Sequence, residues 1–575
     1  MKHRLIYAIS VTMLLALTIS CNEKQEKDVT QVSISRVNGM PNQPQPYKQL
    51  KWKEKAINFD EYVFDFSQQG EFMPLVWLDS TKRNIDQVTF GLYTVIGDVR
   101  QGPTANVDFH ESLTSLGAVL SGGLSGIDKT NQDGFNYVKM IQNYFNSDNG
   151  WNIMMNNTNP EVAMLGGGYG RDWWYDVYPN VVYYGLSDVF PDVAGADEIQ
   201  RTIADQFYSA DSSLAGNYHF SYFDYAAMKG VNNNIPPQED AAAGHAYVLY
   251  SAYQKFGDEK YLEGAKSAIE AMLSQTESRF YEVLLPFGAY VAGRLNAEHG
   301  MNYDVMKLLD WSFDGCTAEV GRTGWGVIAD KWGEYEAHGL QGSIMDGGGY
   351  AFLMNTHSMA WPLVPMVRYQ PQFAKSIGKW MLNASNAARL FYPYEIADEH
   401  QWLPKRKELT KNVVAYEGLR KTDAYGKESL RGVVPVALGD GPNWVVEQPE
   451  QSMFSLYSSA YVGIYGAIIK ETNVDKILRL NCLATDFYRD SAYPTYLYFN
   501  PYDEEKEVIF ENESPEPVDL FDALTHKVIA KGVGKSGSFL VKAGEAALLV
   551  AVPAGASIIQ HKNMYWSNGK IIAYQ

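Results

Sequence analysis

The sequence predicts a mainly α-helical protein in which helical hairpins close into a double ring, followed by a C-terminal antiparallel β-sandwich. Two observations predict this arrangement: helix-length apolar segments recur in pairs from about residue 51, and short strand-like runs replace them near residue 490. No strict sequence repeat relates the pairs, so the pairing alone fits either a solenoid or a closed ring. The irregular segment lengths and the loops rich in Gly and Trp favour the closed ring.

The clearest helical hairpin lies between residues 240 and 273. Apolar residues recur at helical spacing in 241–256, and Gly257 is typical of the residue that ends a helix. Asp258 follows directly as the N-cap of a second amphipathic helix. A turn this short makes the two helices antiparallel neighbours. Similar segments predict hairpins at 107–118 with 135–145, 174–186 with 196–207, 284–298 with 303–313 and 350–367 with 371–390, and a last one beginning at 453–469.

The end of the chain has the pattern of β-strands. Short apolar runs lie between turn residues at 495–501, 507–510, 518–521, 537–541 and 546–552. Asn568 and Gly569 separate two further runs, and this dipeptide is the strongest short-range hairpin signal. The predicted domains are therefore the helical ring at 51–489 and the β-sandwich at 490–575.

The first residues have the pattern of a bacterial lipoprotein signal. A basic start precedes a short apolar core, and Cys21 follows where cleavage is expected. An ordinary secretory signal with an incidental cysteine is the alternative. We predict a signal at 1–21, lipidation of Cys21, and a tether and proline-rich linker at 22–50 that resembles the tether of surface-exported lipoproteins in the Bacteroidetes. The protein would then be anchored to the outer membrane, at the cell surface or on the periplasmic face.

The composition argues against nucleic acid as a partner and against a fold stabilised by disulfide bonds. The chain has 67 acidic and 48 basic residues and a net charge of −19, whereas nucleic-acid binding requires a basic surface. Apart from Cys21, the cysteines are Cys316 and Cys482, too few for a disulfide framework. The 39 Tyr and 13 Trp suit a protein that stacks on sugars, although most of these rings are expected to pack helices.

Residues 166–176 combine a glycine run, two carboxylates and four aromatic rings. Glycine lets the backbone come close to a ligand, and Trp and Tyr present flat apolar faces that suit a sugar ring. Asp172 and Asp176 lie four residues apart, so a helix would place both on one face. Arg171, beside Asp172, could equally form a structural ion pair with it. The segment is predicted to be one wall of a carbohydrate site.

Several short segments resemble a known superfamily. They are 171–179, 237–245, 324–332, 338–340, 346–350 and 378–383. They resemble the six-hairpin glycosidases, and look most like the β-glucuronidases of glycoside hydrolase family 154. The resemblance implies an (α/α)6 toroid whose active site lies on loops at the mouth of the ring. It also implies an exo-acting hydrolase that removes a terminal uronic acid from an oligosaccharide.

Glycoside hydrolysis needs two carboxyl groups that flank the scissile bond, one protonated and one ionised. The catalytic candidates are acids in loops rich in Gly or aromatic residues: Asp172, Glu239, Glu334 and Asp346. Asp240 adjoins Glu239, but it precedes the helix at 241, so N-capping explains it better.

A uronic acid also needs donors for its carboxylate and rings for its apolar faces. The predicted substrate-binding residues are Arg171, Trp173, Trp174, Tyr175, His245, Arg322, Trp325, Trp332, His338 and His357. A lone histidine in an apolar helix, such as His357, is more often a core residue. Zinc, phosphate and dinucleotide motifs are absent, so no metal or cofactor is predicted, although carboxylates and carbonyls could hold Ca²⁺.

Two other functions stay open. A polysaccharide lyase on the same scaffold would need a Tyr or His base and a group that neutralises a uronate. Residues 217–225 supply Asn217, His219, Tyr222 and Tyr225 for it, although an aromatic helix explains them better. A non-catalytic surface glycan-binding protein would leave its ligand unchanged, and the many acids in the loops argue against it.

Overall fold

The structure is a computed structural model that describes residues 28–70, 73–80, 82, 84–92, 111–156, 172–233, 235–316, 324–345, 348–422, 427–439 and 454–575. Within these residues, twelve helices form two concentric rings. They are α1 (Trp52–Val63), α2 (Ser112–Leu124), α3 (Tyr137–Met140), α4 (Trp173–Val189), α5 (Ala196–Leu214), α6 (Ala241–Phe256), α7 (Glu259–Ser274), α8 (Leu285–His299), α9 (Val305–Asp314), α10 (Leu353–Met366), α11 (Ala374–Ala388) and α12 (Val462–Ile468). Short helical turns also occur at Ser35–Asn38, Lys407–Thr410 and Leu456–Ser459.

The even-numbered helices form the inner ring. Each packs against the next, from α2 through α4, α6, α8 and α10 to α12, and α12 returns to α2. The odd-numbered helices pack outside them, as α7 does against α6 and α1 does against α12. The inner ring is therefore closed, and the fold is the (α/α)6 toroid that the sequence resemblance implied.

The turn between α6 and α7 is formed by the two residues predicted for it, Gly257 and Asp258. Gly257 ends α6 with φ +69°, a conformation that glycine adopts without strain. Asp258 then caps α7, since its side chain accepts from the Lys260 N–H. The two helices pack along each other as antiparallel neighbours.

The inner helices are buried on nearly every side, because other inner helices and the outer ring pack around them. In α4 every residue from 173 to 187 is buried, the pattern expected of a fully enclosed helix. Tyr178 of α4 donates a hydrogen bond of 2.6 Å to Ser358 of α10 and stacks on Tyr461, which precedes α12. These contacts join three inner helices in the core of the ring.

Short strands occupy the connections of the helical part. They are β1 (Val76–Asp79), β2 (Thr89–Leu92), β3 (Phe145–Asn146), β4 (Ile153–Met154), β5 (Tyr222–Asp224), β6 (Lys229–Val231), β7 (Trp325–Val327), β8 (Lys331–Trp332), β9 (Tyr335–Glu336), β10 (Gln341–Ser343), β11 (Tyr350–Phe352), β12 (Ala415–Tyr416), β13 (Gly418–Arg420), β14 (Val436–Leu438) and β15 (Phe454–Ser455). Five of them form one antiparallel sheet in the order β14-β13-β11-β10-β7. Because β11 runs directly into α10, this sheet is fixed to the start of an inner helix.

The C-terminal domain is the predicted antiparallel β-sandwich. Its strands are β16 (Ile469–Glu471), β17 (Leu478–Asn481), β18 (Thr495–Phe499), β19 (Lys506–Glu511), β20 (Val518–Asp522), β21 (Lys527–Val533), β22 (Ser536–Val541), β23 (Ala546–Pro553), β24 (Ile558–His561), β25 (Met564–Ser567) and β26 (Lys570–Tyr574). The six-stranded sheet β16-β17-β18-β23-β20-β21 shares a core with the pair β19-β22. Its other face packs on α11, where Phe499 lies against Gly378.

Two boundaries differ from the prediction. The six-stranded sheet already begins at Ile469, immediately after α12, and not near residue 490. Residues 28–50 are not a free tether: Ile34 and Val37 are buried, and the Val29 N–H donates to Leu524 O in the β-domain. Among the described residues, no helix is long and apolar enough to cross a membrane.

A buried ion pair fixes the first outer helix to the loop after α2. Lys129 Nζ lies 2.7 Å from Asp60 Oδ2, and both side chains are inaccessible to solvent. Gln132 donates to the other oxygen of Asp60, and the Lys129 ammonium lies 3.3 Å from the centroid of the Phe64 ring.

We therefore expect Lys129→Met to lower the free energy of unfolding by about 3–5 kcal/mol, because it leaves the Asp60 charge buried without its cation. The double variant Asp60→Asn/Lys129→Met should recover most of that loss. Denaturant unfolding measures both. Equal stability of the single variant and the wild type would contradict this role for the pair.

Candidate active site at the mouth of the helical ring

The N-terminal ends of the inner helices lie together at one end of the ring. Each inner helix from α2 to α10 is followed by an outer helix that runs back antiparallel, whereas α12 is followed by the β-domain and has α1 as its outer neighbour. Successive inner helices therefore point the same way. We call this end, with the loops that lead into the inner helices, the mouth. Helix N-termini carry partial positive charge, which favours carboxylates placed there. Buried acids directly precede several of the inner helices: Glu111, Asp172, Glu239, Asp240 and Glu282. Glu417 is also buried, and its carbonyl accepts from the Leu353 N–H at the start of α10.

Asp172 lies at the N-cap of α4. Its Oδ1 accepts a hydrogen bond of 2.7 Å from Gln238 Nε2, and the Oε1 of Gln238 accepts from the Trp174 N–H. The carboxylate is thereby fixed between α4 and the loop that precedes α6. Asp176, one turn on, is also buried, so the two acids share the start of one helix.

Glu239 contacts a histidine and an arginine at the rim of the mouth. Its Oε1 lies 2.7 Å from His219 Nδ1, and its Oε2 lies 3.2 Å from Arg279 Nε. The His219 side chain is half exposed, whereas those of Glu239 and Arg279 are largely covered. Arg279 also pairs with Glu277. The sequence predicted Glu239, but it gave no signal that Arg279 would join it from the loop before α8.

Asp240 has a different role from the predicted helix cap. It lies at the N-cap of α6 without a capping hydrogen bond, and its Oδ2 accepts from the Tyr281 N–H at 2.9 Å. Burial raises the pKa of this carboxyl well above its usual value, and the nearby charges of Glu239 and Glu282 raise it further. Asp240 therefore tends to keep its proton in the folded protein.

Glu282 is an acid that sequence reasoning missed. It precedes α8 with φ +63°, and its Oε2 accepts from Asn355 Nδ2 at 2.9 Å. Its backbone carbonyl accepts from both Gln341 and Asn355. The available signal was positional: Glu282 stands just before an inner helix, as Asp172 and Asp240 do.

Aromatic rings line the mouth beside Glu282. Trp325, a predicted binding residue, stacks on Phe352 with centroids 5.9 Å apart and an interplanar angle of 20°. Tyr281 meets the Trp325 ring edge-on at 5.5 Å. The Arg420 guanidinium lies 3.9 Å from the centroid of the Tyr350 ring in the same sheet. This corner thus combines acids, stacked rings and a cation, the groups that a sugar site uses.

The three predicted binding residues after Asp172, namely Trp173, Trp174 and Tyr175, are all buried. Trp174 and Tyr175 stack on each other at 4.1 Å. Trp173 is fully buried and lies parallel to Tyr218 and Phe223, so it packs the wall of the ring.

Two of the predicted binding histidines are buried among the packed side chains of the helical ring. His245 is fully buried, with Tyr218 on Nδ1 and Tyr225 on Nε2, and burial lowers its pKa to about 3. His357 is equally buried between the rings of Trp52 and Tyr465, and burial lowers its pKa to about 3 as well. Both are neutral at physiological pH, which suits packing better than binding an anionic group.

The predicted residues on the hairpin β8–β9 do not contact the described acids of the mouth. Glu334 is exposed at its tip, and His338 pairs with Glu336. The hairpin packs on the outer helix α11, where Trp380 donates to Gly339 O. Trp332 is buried against Gly349, where a Cβ would lie only 2.4 Å from its ring, so it fills space under the sheet.

Four predicted residues cannot be placed in this site. Arg171, Arg322, Asp346 and Cys21 lie outside the described residues. Within the described part, no three His, Cys, Asp or Glu side chains are grouped as metal ligands. Cys316 and Cys482 are both buried.

Comparison with known proteins finds no matching family model and no matching curated protein. Among solved structures, a GH127 β-L-arabinofuranosidase from Geobacillus stearothermophilus T6 has 10% identity, coverage of 91% of this chain and 85% of that one, and a TM-score of 0.33. A structure described as a glycoside hydrolase has 10% identity, coverage of 80% and 76%, and a TM-score of 0.35. An α-L-rhamnosidase from Dictyoglumus thermophilum has 10% identity, coverage of 77% and 46%, and a TM-score of 0.32. Likenesses of this strength do not bear on chemistry, so the function rests on the side chains at the mouth.

The raised pKa of Asp240 makes a prediction about stability. Above about pH 3.9 an unfolded Asp releases its proton, whereas folded Asp240 still holds it. This residue therefore makes the free energy of unfolding fall as the pH rises from there toward its folded pKa. Asp240→Asn removes that loss and keeps an acceptor for the Tyr281 N–H.

We expect Asp240→Asn to be more stable than the wild type, by a margin that grows as the pH rises above about 4. Denaturant unfolding across that range measures the margin, and other titrating groups cancel in the difference. A margin that does not change with pH would show that Asp240 titrates normally.

Proposed function

We propose that the protein is a glycoside hydrolase whose active site is the mouth of the ring. The observation that carries this proposal is the linked row of buried acids on consecutive inner-helix loops, beside the stacked rings of Trp325 and Phe352. Asp172, Asp240 and Glu282 belong to three neighbouring loops, and each is held by a hydrogen bond from the next loop or helix. A mouth that only stacked on sugar would not need to bury so many ionisable groups.

Hydrolysis at such a site needs one carboxyl group that gives a proton and one carboxylate that receives one. The glycosidic oxygen takes a proton from the acid as its bond to the anomeric carbon breaks. Water supplies the new oxygen on that carbon, and its proton passes to the carboxylate. Neighbouring acids with different environments can divide these roles, as the raised pKa of Asp240 illustrates.

We further propose that the substrate ends in a uronic acid and that the enzyme is β-glucuronidase-like, as the sequence resemblance implies. A uronate carboxylate requires a cation or hydrogen-bond donors. Among the described residues of the mouth, Arg279 and Arg420 are cations near the acids, although Arg279 is already paired with Glu239 and Glu277. Arg171 and Arg322 remain candidates from the sequence.

One observation favours a polysaccharide lyase as the second candidate. Glu239 orients His219 through Nδ1, the arrangement that prepares a histidine as a base, and Arg279 adjoins them. In β-elimination the base takes the proton beside the uronate carboxyl group, a carbon–carbon double bond forms, and the glycosidic oxygen leaves. The product then absorbs in the ultraviolet, whereas a hydrolysed product does not.

Anchoring at Cys21 and an outer-membrane location also remain proposals from the sequence. Incorporation of labelled palmitate in a bacterial host checks them, and a chain that stays unlabelled would contradict them.

The first activity test is Asp172→Asn with an aryl β-D-glucuronide as substrate. Asparagine keeps an acceptor for the Gln238 N–H, so we expect the Tm to stay nearly unchanged. Loss of an acid–base group should lower kcat by about 10²–10⁴-fold. Release of the phenol and thermal unfolding are measured on the same samples.

Asp205→Asn is the control, since Asp205 is an exposed acid on the outer helix α5. It should keep wild-type turnover. If Asp172→Asn unfolds the protein, the carboxylate is structural and not catalytic. A rise in ultraviolet absorbance on incubation of the wild type with polyuronate would replace the hydrolase with the lyase.

A further inference from the structure

Glu282 has a backbone conformation that glutamate rarely adopts. Its φ of +63° lies in the left-handed region, where the Cβ of an L-residue is crowded and which Gly, Asn and Asp enter more readily. Non-glycine residues persist there only when their surroundings hold them, and such positions cluster at active sites. The strain thus marks Glu282 as a residue whose side-chain position matters.

Two amide side chains hold Glu282 in place. Gln341 Nε2 donates to its carbonyl at 2.8 Å, and Asn355 Nδ2 donates to the same carbonyl at 3.1 Å. Asn355 also donates to the carboxylate Oε2 at 2.9 Å. Gln341 belongs to the sheet and Asn355 to the first turn of α10, so two separate elements position one carboxylate.

Buried polar atoms without a hydrogen-bond partner lie near this carboxylate. Asp240 Oδ1, Gln341 Oε1 and Asn355 Oδ1 have no hydrogen-bond partner among the described residues, and each side chain is at least 99% buried. Native proteins rarely leave such atoms unpaired, so each one calls for an explanation. The two amide oxygens need O–H or N–H donors, and the neutral Asp240 carboxyl can donate its O–H. The hydroxyl groups of a sugar can both donate and accept such bonds. The corner around Glu282 is therefore built to meet a ligand rich in hydroxyl groups.

We propose that Glu282 is a catalytic residue that activates water for attack on the anomeric carbon of a sugar held against Trp325. This inference rests on the proposed hydrolase function and assigns its base. The Glu282 carboxylate takes one proton from water while the water oxygen bonds to the anomeric carbon. The bond from that carbon to the leaving oxygen breaks, and this oxygen takes a proton from an acid across the mouth, for which Asp172 is the candidate.

The neighbourhood fits an ionised Glu282. Asn355 donates an N–H to the carboxylate, the type of bond that an anion accepts strongly. Asp240, whose pKa is raised by burial and by Glu239 and Glu282, tends to stay neutral beside it. A neutral Asp240 places no second negative charge beside the Glu282 carboxylate.

The deciding experiment compares Glu282→Gln with the wild type on an aryl β-D-glucuronide and on a panel of other aryl glycosides. Glutamine keeps an oxygen for the Asn355 N–H but cannot take a proton. We expect kcat to fall by about 10²–10⁴-fold with an unchanged Tm. Glu270→Gln, an exposed acid on the outer helix α7, is the matched control and should retain full turnover.

A second variant separates catalysis from folding. Asparagine enters the left-handed region more readily than glutamate does, so Glu282→Asn should unfold at the same or a higher temperature and yet lose turnover. A Glu282→Gln variant that turns over at the wild-type rate, or a Glu282→Asn variant that loses activity only by unfolding, would overturn the inference alone. A wild type that hydrolyses none of the glycosides would overturn the proposed function together with it.

Discussion

The hydrogen bonds between successive inner-helix loops are the interaction on which the site depends. Gln238 holds Asp172, the Tyr281 N–H holds Asp240, and Asn355 holds Glu282. Each bond crosses from one inner helix to the next. The position of every acid is therefore set by the closure of the ring and not by its own loop. Helix N-termini add partial positive charge at the same end, which makes it the favourable end for carboxylates.

Burying these acids opposes folding, and the rest of the molecule offsets it. Buried carboxyl groups and unpaired acceptors are each unfavourable, and the backbone of Glu282 adds strain. The opposing contribution is the continuous apolar core of two helical rings, which extends into the face of the β-domain on α11. At the opposite end of the ring, a cavity of about 790 Å³ lies between α1 and the β-domain, and the acids that line it include the exposed Glu54 and Glu513.

The helical ring and the β-sandwich could be predicted because short sequence patterns determine their hairpins and turns. Apolar spacing with Gly257 and Asp258 defines a hairpin, and Asn568–Gly569 defines a β-turn in which both residues have positive φ. Asp172 and Glu239 could be found because acids stand out among glycine and aromatic residues. Asn355 and Gln341 could not, since an amide in an apolar helix or a short strand gives no sign of what it will hold. Glu282 was missed for the same reason: its strain exists only after α8, the sheet and α10 have come together.

The central claim is that sugar binds at the mouth, among the acids of the inner-helix loops. A crystal structure of the wild-type protein soaked with D-glucuronic acid tests it directly. We predict the sugar ring against Trp325, with its hydroxyl groups within hydrogen-bond distance of Glu282 and Asn355. A sugar bound only elsewhere, for example in the cavity between α1 and the β-domain, would contradict this account.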